Sequence, residues 1–152
     1  GVQTCALPIS HVQTKGVIML KLGTQTGSIF NHIDSRAVRG EPEPCIGMGA
    51  TVLHWTDRSA CTIIKIEVIR GTTYITTQDD NAIRIDKNGM SESQDYEYSA
   101  NLNGCLRVFK KHPKTGFWKF CVLNPDTGRY VQQKHGSGLK IGVRDEYYDY
   151  SF

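Results

Sequence analysis

The sequence lacks the signatures that name an enzyme at sight. It holds no G-x-S-x-G elbow, no Walker loop, no H-E-x-x-H motif and no dinucleotide fingerprint, so the usual marks of hydrolases, NTPases, metalloproteases and NAD-dependent enzymes are missing. Its five cysteines (Cys5, Cys45, Cys61, Cys105 and Cys121) form no CxxC pair, and no histidine pair stands at zinc-finger spacing. An odd, scattered set predicts reduced thiols and no metal site. No apolar run approaches the roughly 20 residues a membrane helix needs. The start of the chain carries no signal-peptide pattern, which makes the cytoplasm the expected compartment. Long Leu/Ala/Glu stretches are absent while Tyr, Thr, Val, Ile and Gly are frequent, a balance that favours strands over helices. His11, His32, His54, His112 and His135 are isolated from one another. The expectation is a non-enzyme without a cofactor.

What is present suits one domain with a genuine core: 152 residues, 39% hydrophobic and 22% charged. The chain is organised around Gly47 to Arg70. Ala50 to Trp55 reads as a short apolar strand and Thr56 to Ser59 as a turn, since short polar side chains bond their own backbone. Ala60 to Ile69 reads as a long alternating strand at the centre of a sheet. Its period of two sets Ile64, Ile66 and Val68 on one face and Ile63, Lys65, Glu67 and Ile69 on the other. Arg70-Gly71 predicts a tight turn into a strand over Thr72 to Gln78. Shorter strands follow over Ala82 to Asp86 and near Tyr96 and Tyr98. A meander over Cys105–Lys110, Phe117–Leu123 and Arg129–Gln133 has two loops that end in glycine, which suits a type I turn closed by a left-handed residue. A last strand is expected over Leu139 to Val143. Ser28 to Val38 is the one helix candidate, capped by Ser28 and ended by Gly40. The fold class expected is mainly β: a small antiparallel barrel, or a rolled sheet or sandwich, with one short N-terminal helix. Gly1 to Ile9 resemble the translation of a DNA-sequencing adapter. Residues 1–18 are therefore expected to be an artefactual or disordered leader, and residues 19–152 a single domain that starts near Met19.

Charge is unevenly placed. From Gly104 to Arg144 nine basic residues face one acid, Asp126, whereas Asp79 to Glu97 holds six acids against Arg84 and Lys87, and the tail adds Asp145, Glu146 and Asp149. A polarised surface follows. Four clusters admit a functional reading. In His54-Trp55-Thr56-Asp57-Arg58, Trp55 either stacks on a ligand ring while Arg58 grips phosphate, or lies in the core with Asp57 on Arg58 or capping the turn. Asp86-x-Asn88-Gly89 with Glu92 hints at calcium but has too few oxygen ligands and no flanking helices, so a plain turn is expected. Lys110, Lys111, Lys114 and Lys119 alternate with Phe109, Phe117, Trp118 and Phe120. They make either a nucleic-acid face or a strand pair with aromatics inside and lysines in solvent. The aromatic tail, Tyr147 to Phe152, should bury against the domain or a second copy.

Three strings, GMGATVLHWTDRSACTII, AIRIDKNGMSESQDYEY and GLKIGVRDEYYDYSF, together with TQTGSIFNHIDSR before them, are similar to a family of short uncharacterised bacteriophage and prophage proteins. The resemblance covers about Leu22 to Phe152. It implies a phage accessory protein in the cytoplasm of an infected bacterial host and fits a metagenomic origin. By analogy with phage anti-defence sponges, the expected function is sequestration of a cyclic nucleotide immune signal. Trp55, Arg58, Arg84, Arg107, Arg144 and Tyr147 would line the ligand-binding pocket, and the aromatic tail would join a homo-oligomer. The alternative is a nucleic-acid-binding or host-protein-binding β-barrel that uses the cationic run.

Overall fold

The computed structural model describes residues 41–151; the expected leader and the helix over Ser28–Val38 lie outside them. The described chain runs through nine strands: β1 (Gly49–Leu53), β2 (Arg58–Ile69), β3 (Thr72–Asp79), β4 (Asn81–Arg84), β5 (Tyr96–Ser99), β6 (Leu106–Lys111), β7 (Trp118–Asn124), β8 (Arg129–Gln132) and β9 (Gly138–Ile141). Seven join one antiparallel sheet in the order β6-β3-β2-β1-β9-β7-β8. A further β6–β7 pairing closes six of them into a barrel. The strand β7 makes that closure. Trp118 and Lys119 pair with β9 along one edge, and Cys121 to Asn124 pair with β8 further along it. Along the other edge Trp118 to Cys121 pair with β6. The strands β4 and β5 form a separate two-stranded hairpin. Among the described residues no helix is long and apolar enough to cross a membrane.

So small a ring is filled by its own side chains. Ala50, Val52, Cys61, Ile63, Ile75, Phe109, Trp118, Leu139 and Ile141 make the core, each no more than 3% exposed, with Met48, Ile66 and Phe120 packed against them. Register explains the set. Ile66, Ile75, Phe109 and Phe120 stand directly opposite one another across four strands. Trp118 pairs with Leu139, and Leu139 with Val52. Phe109, Trp118 and Phe120 thus point in and Lys110 and Lys119 point out, whereas Lys111 stands opposite Trp118 with its ammonium 5.6 Å from the indole centroid.

The long strand β2 departs from strict alternation. Ile63 pairs with Thr77 and Lys65 with Thr76, so Ile64 has no opposite number and the strand bulges there. A bulge inserts one residue and resets the phase of the pleat. Ile63 is therefore fully buried, Ile64 is 39% exposed, and Ile66 returns to the core. The expected grouping of Ile64 with Ile66, and of Ile63 with Lys65, is corrected by that one extra residue.

The turns match their chemistry. Gly116 and Gly128, which end the two meander loops, have φ of 73° and 62°. At the β2–β3 turn both central residues are left-handed, with Arg70 at φ 52° and Gly71 at φ 75°. That geometry suits a two-residue hairpin, but a long side chain adopts it at a cost of about 1 kcal/mol.

Two outcomes follow for stability. Phe109→Ala should lower the unfolding free energy by about 3–5 kcal/mol, whereas Val122→Ala on the exposed part of β7 should cost under about 1 kcal/mol; urea titration of both variants measures the contrast. Arg70→Asn should raise the thermal midpoint, because asparagine tolerates the left-handed turn; an unchanged or lower midpoint would show that the Arg70 backbone carries no strain.

Candidate functional site

The C-terminal segment builds one side of the molecule. It crosses the outer face of β1 and β2, where it is held by bonds spread along its length. Thr51 Oγ1 donates to the Val143 carbonyl at 2.8 Å. The Ala60 amide donates to Glu146 Oε2 at 2.7 Å. Arg58 and Tyr147 exchange both backbone hydrogen bonds, at 3.0 and 3.1 Å. The Asp149 amide reaches Asp57 Oδ1 at 2.9 Å. This cover explains why Thr51 and Leu53, on the outward side of β1, are 1% and 3% exposed. The β4–β5 side of the molecule grips the same segment. The Glu146 amide donates to the Tyr98 hydroxyl, the Gln94 carboxamide bonds both backbone groups of Tyr148, and the Tyr147 hydroxyl donates to Glu92. The tail thus docks within its own chain, with Tyr147 and Asp149 buried and Tyr148 exposed.

Every arginine named from the sequence meets a carboxylate of the same chain. Arg58 binds Asp145 at 2.7 Å and lies 6.0 Å from the Tyr147 ring centroid. Arg84 holds Asp86 with two bonds, at 2.7 and 2.9 Å, and stacks 5.7 Å from the Tyr150 ring centroid. Arg107 pairs with Asp79. Arg144 binds Asp80 at 2.8 Å and the Thr62 hydroxyl at 2.9 Å. Arg107 stands opposite Thr77, itself opposite buried Ile63, so it belongs to the inner side of the barrel wall. Arg144 and Arg58 lie against the outer side. The structure brings Arg58 to Tyr147, and Arg84 to Tyr150, but it does not gather the six predicted residues round one hollow. Tyr147, 2% exposed, is a docking residue.

Trp55 is the exception. It is 76% exposed at the tip of the β1–β2 turn, and the buried indole is that of Trp118. The Asp57 carboxylate accepts the Asp149 amide of the tail, and its carbonyl accepts the His54 amide at 3.0 Å. His54 sits between two hydroxyls, with Nε2 3.2 Å from Ser59 Oγ and Nδ1 3.1 Å from Ser137 Oγ. Burial, then the Arg107 charge, holds its pKa below the ordinary imidazole value, against the opposing pull of Asp57 and Asp79.

Asp86 is a turn anchor. Its oxygens accept Arg84 and the amides of Asn88 and Asp95, both at 2.8 Å. The Arg84 guanidinium and those amides hold its carboxyl far below the usual range. Among the described residues no group of His, Cys, Asp and Glu could hold a metal ion. The thiols of Cys61, Cys105 and Cys121 are free, and burial pushes Cys61 up to about 12.

A second surface lies across the ring. On the outer face of the β6–β7 wall, Lys110 stands directly opposite Lys119. Like charges so placed repel. On the other flank of Lys110 is Tyr74 of β3, whose ring lies 5.3 Å from that of Tyr130 on β8, tilted by 34°. No carboxylate among the described residues pairs with Lys110 or Lys119 at ion-pair distance. The tyrosine pair was not legible as a site, because Tyr74 and Tyr130 are far apart in sequence and meet only through β6 and β7. The carboxylate partners of the arginines did leave a signal, in the acidic runs at Asp79-Asp80 and Asp145-Glu146.

No family model, no curated protein and no solved structure matches the chain.

The tail predicts a pH effect through Glu146. Burial raises its pKa, and Asp79, Asp145 and Asp57 add to the rise, against the Ala60 amide. A carboxyl whose folded pKa lies above its unfolded value contributes stability below the unfolded value and loses it as pH rises through the folded one. Glu146→Gln keeps an acceptor for Ala60 without the charge. It should raise the denaturation midpoint at about pH 7 and match the wild type near pH 3.5. Equal midpoints at both pH values would show that the ionised carboxylate is tolerated there.

Proposed function

We propose that this protein is a non-catalytic binding module whose outer β3–β6–β7–β8 wall takes a single-stranded nucleic acid. The observation that carries this reading is the cross-strand pair of Lys110 and Lys119 beside the stacked Tyr74 and Tyr130. Glu67, next along this row beyond Tyr74, is paired with Lys65; two adjacent ammonium groups with no described carboxylate at ion-pair distance disfavour the empty surface, and a phosphate backbone reverses that sign by releasing its counterions. The tyrosine rings supply faces on which bases stack without sequence preference. Phe109 and Trp118, turned into the core, hold the wall in shape and are not themselves contacts. Lys111, Lys114, Lys134 and Arg129 lie on the same strands and their loops and widen the positive field that steers a polyanion.

The sequestration of a cyclic nucleotide by converging guanidiniums has less support. Arg58, Arg84, Arg107 and Arg144 are already neutralised by Asp145, Asp86, Asp79 and Asp80, so a phosphate would first have to displace a carboxylate from each. The family resemblance suggests an accessory protein of a bacteriophage, and a nucleic-acid-binding barrel fits that setting.

A fluorescence-polarisation titration with a labelled single strand of about 12 nucleotides tests the reading. The wild type should bind with an affinity that falls steeply as salt rises. Lys110→Gln/Lys119→Gln should reduce the slope of log affinity against log salt by about 1.4. Absent or salt-insensitive binding would overturn the proposal. A dissociation constant below about 10 μM for any member of a cyclic-nucleotide panel, a binding free energy stronger than about 7 kcal/mol, would shift the assignment to sequestration.

A further inference from the structure

The side of the barrel opposite the lysine wall carries a different surface. In the ring order β1-β2-β3-β6-β7-β9, β6 is diametrically opposed to β1, and β7 to β2. The tail lies over β1 and β2, so it faces away from Lys110 and Lys119. Trp55 is 76% exposed there and Tyr148 52% exposed. The Arg58–Tyr147 bridge and the Asp149–Asp57 bond run the tail antiparallel beside the β1–β2 turn, which sets the two exposed rings on adjoining backbone. Tyr150 continues the row, with its ring 4.9 Å from that of Tyr148 in an edge-on pair.

The backbone that carries these rings is fixed before any contact is made. The Trp55 turn is closed by the His54 amide on the Asp57 carbonyl. Both backbone groups of Tyr148 are fixed by Gln94, at 2.7 and 3.0 Å, and the Tyr150 hydroxyl accepts Arg84 at 2.8 Å. Aromatics on fixed backbone are typical anchors of protein interfaces, since little backbone entropy is left to lose.

The charge around them decides the occupant. The β1–β2 turn, the β4–β5 region and the tail (residues 54–58, 81–99 and 144–151) hold eight carboxylates against four cations. Arg58 and Arg84 are paired with Asp145 and Asp86 of that set, and Arg144 with Asp80, so six further carboxylates stand against Lys87. Such a surface repels nucleic acid and favours a positive ligand, and indole and phenol faces attract ammonium and guanidinium groups. We infer that the Trp55–Tyr148 surface docks a lysine- or arginine-rich segment of a partner protein. The partner's aliphatic stems lie along the rings and its charged heads meet the surrounding carboxylates.

The experiment uses the full chain and a fluorescent peptide of alternating arginine and glycine, with a glutamate–glycine peptide as control. The wild type should bind the arginine peptide and not the control. Trp55→Ala should weaken that binding at least tenfold, and Tyr148→Ala measurably, while near-ultraviolet circular dichroism from Trp118 shows the core unchanged. If Trp55→Ala binds the peptide as tightly as the wild type, attraction is electrostatic only and the inference fails. It also fails if light scattering of the protein alone shows a salt-sensitive oligomer that Trp55→Ala dissolves, because the occupant is then a second copy. Oligonucleotide binding to Lys110 and Lys119 should be unchanged in Trp55→Ala, so the two surfaces can fail separately.

Discussion

Six strands closed into a ring leave an interior only as wide as the side chains that fill it. Trp118, Phe109, Ile63, Ile75, Leu139 and Val52 do so here, each under 3% exposed. The closure runs through β7, which bonds β6 along one edge and β9 then β8 along the other. Because the ring is occupied by the core, the contacts proposed above fall on the outer walls and on the segments laid over them. The same constraint governs polar groups. Arg107 and Asp79 on the inner side of the wall are tolerated as a pair, since either alone would be a charge partly withdrawn from water with nothing to balance it.

The arginines illustrate how composition misleads when topology is unknown. Guanidinium groups suit phosphates and carboxylates alike, because both present two oxygens to a planar fork. A chain rich in arginine and tyrosine therefore reads equally well as a phosphate site or as a self-paired surface. Topology decides between them. The tail returns across β2 and brings Asp145 to Arg58 and Arg144 to Asp80. The Asp86 turn folds back on Arg84 two residues away. In each case the carboxylate is supplied by the protein, so the arginine fastens a segment to the barrel.

Local pattern carried most of the architecture. Alternation marked the strands, glycines at left-handed positions marked the meander loops, and the Arg70-Gly71 hairpin turn stands where its residues require. The bulge at Ile64 was hidden because the adjacent isoleucines Ile63 and Ile64 can take either phase. The exposure of Trp55 was hidden too: a tryptophan after an apolar strand is ordinary core material, and only the burial of Trp118 and Leu139 behind β1 shows that the place is taken. Cross-strand relations such as Lys110 with Lys119 follow once β6 and β7 are paired through a short loop. The meeting of Tyr74 with Tyr130 needs the order of four strands, which no local pattern contains.

The modest formal charge of +3 conceals the arrangement that matters. The lysine wall on β6 and β7 and the carboxylate-ringed aromatics over β1 and β2 lie on opposite sides of the ring. Two walls of a closed sheet stand about 10 Å apart at the backbone, and outward side chains add to that on both faces. Screening at physiological ionic strength acts over about 8 Å. Each surface therefore presents its own sign to an approaching molecule, with little cancellation from the other. A barrel whose interior is full, whose Arg58, Arg84, Arg107 and Arg144 are bound to its own carboxylates and whose opposite faces differ in charge suits the two dissimilar contacts proposed above. A single enclosed ligand would need the reverse: free cations turned toward one another around an unfilled space.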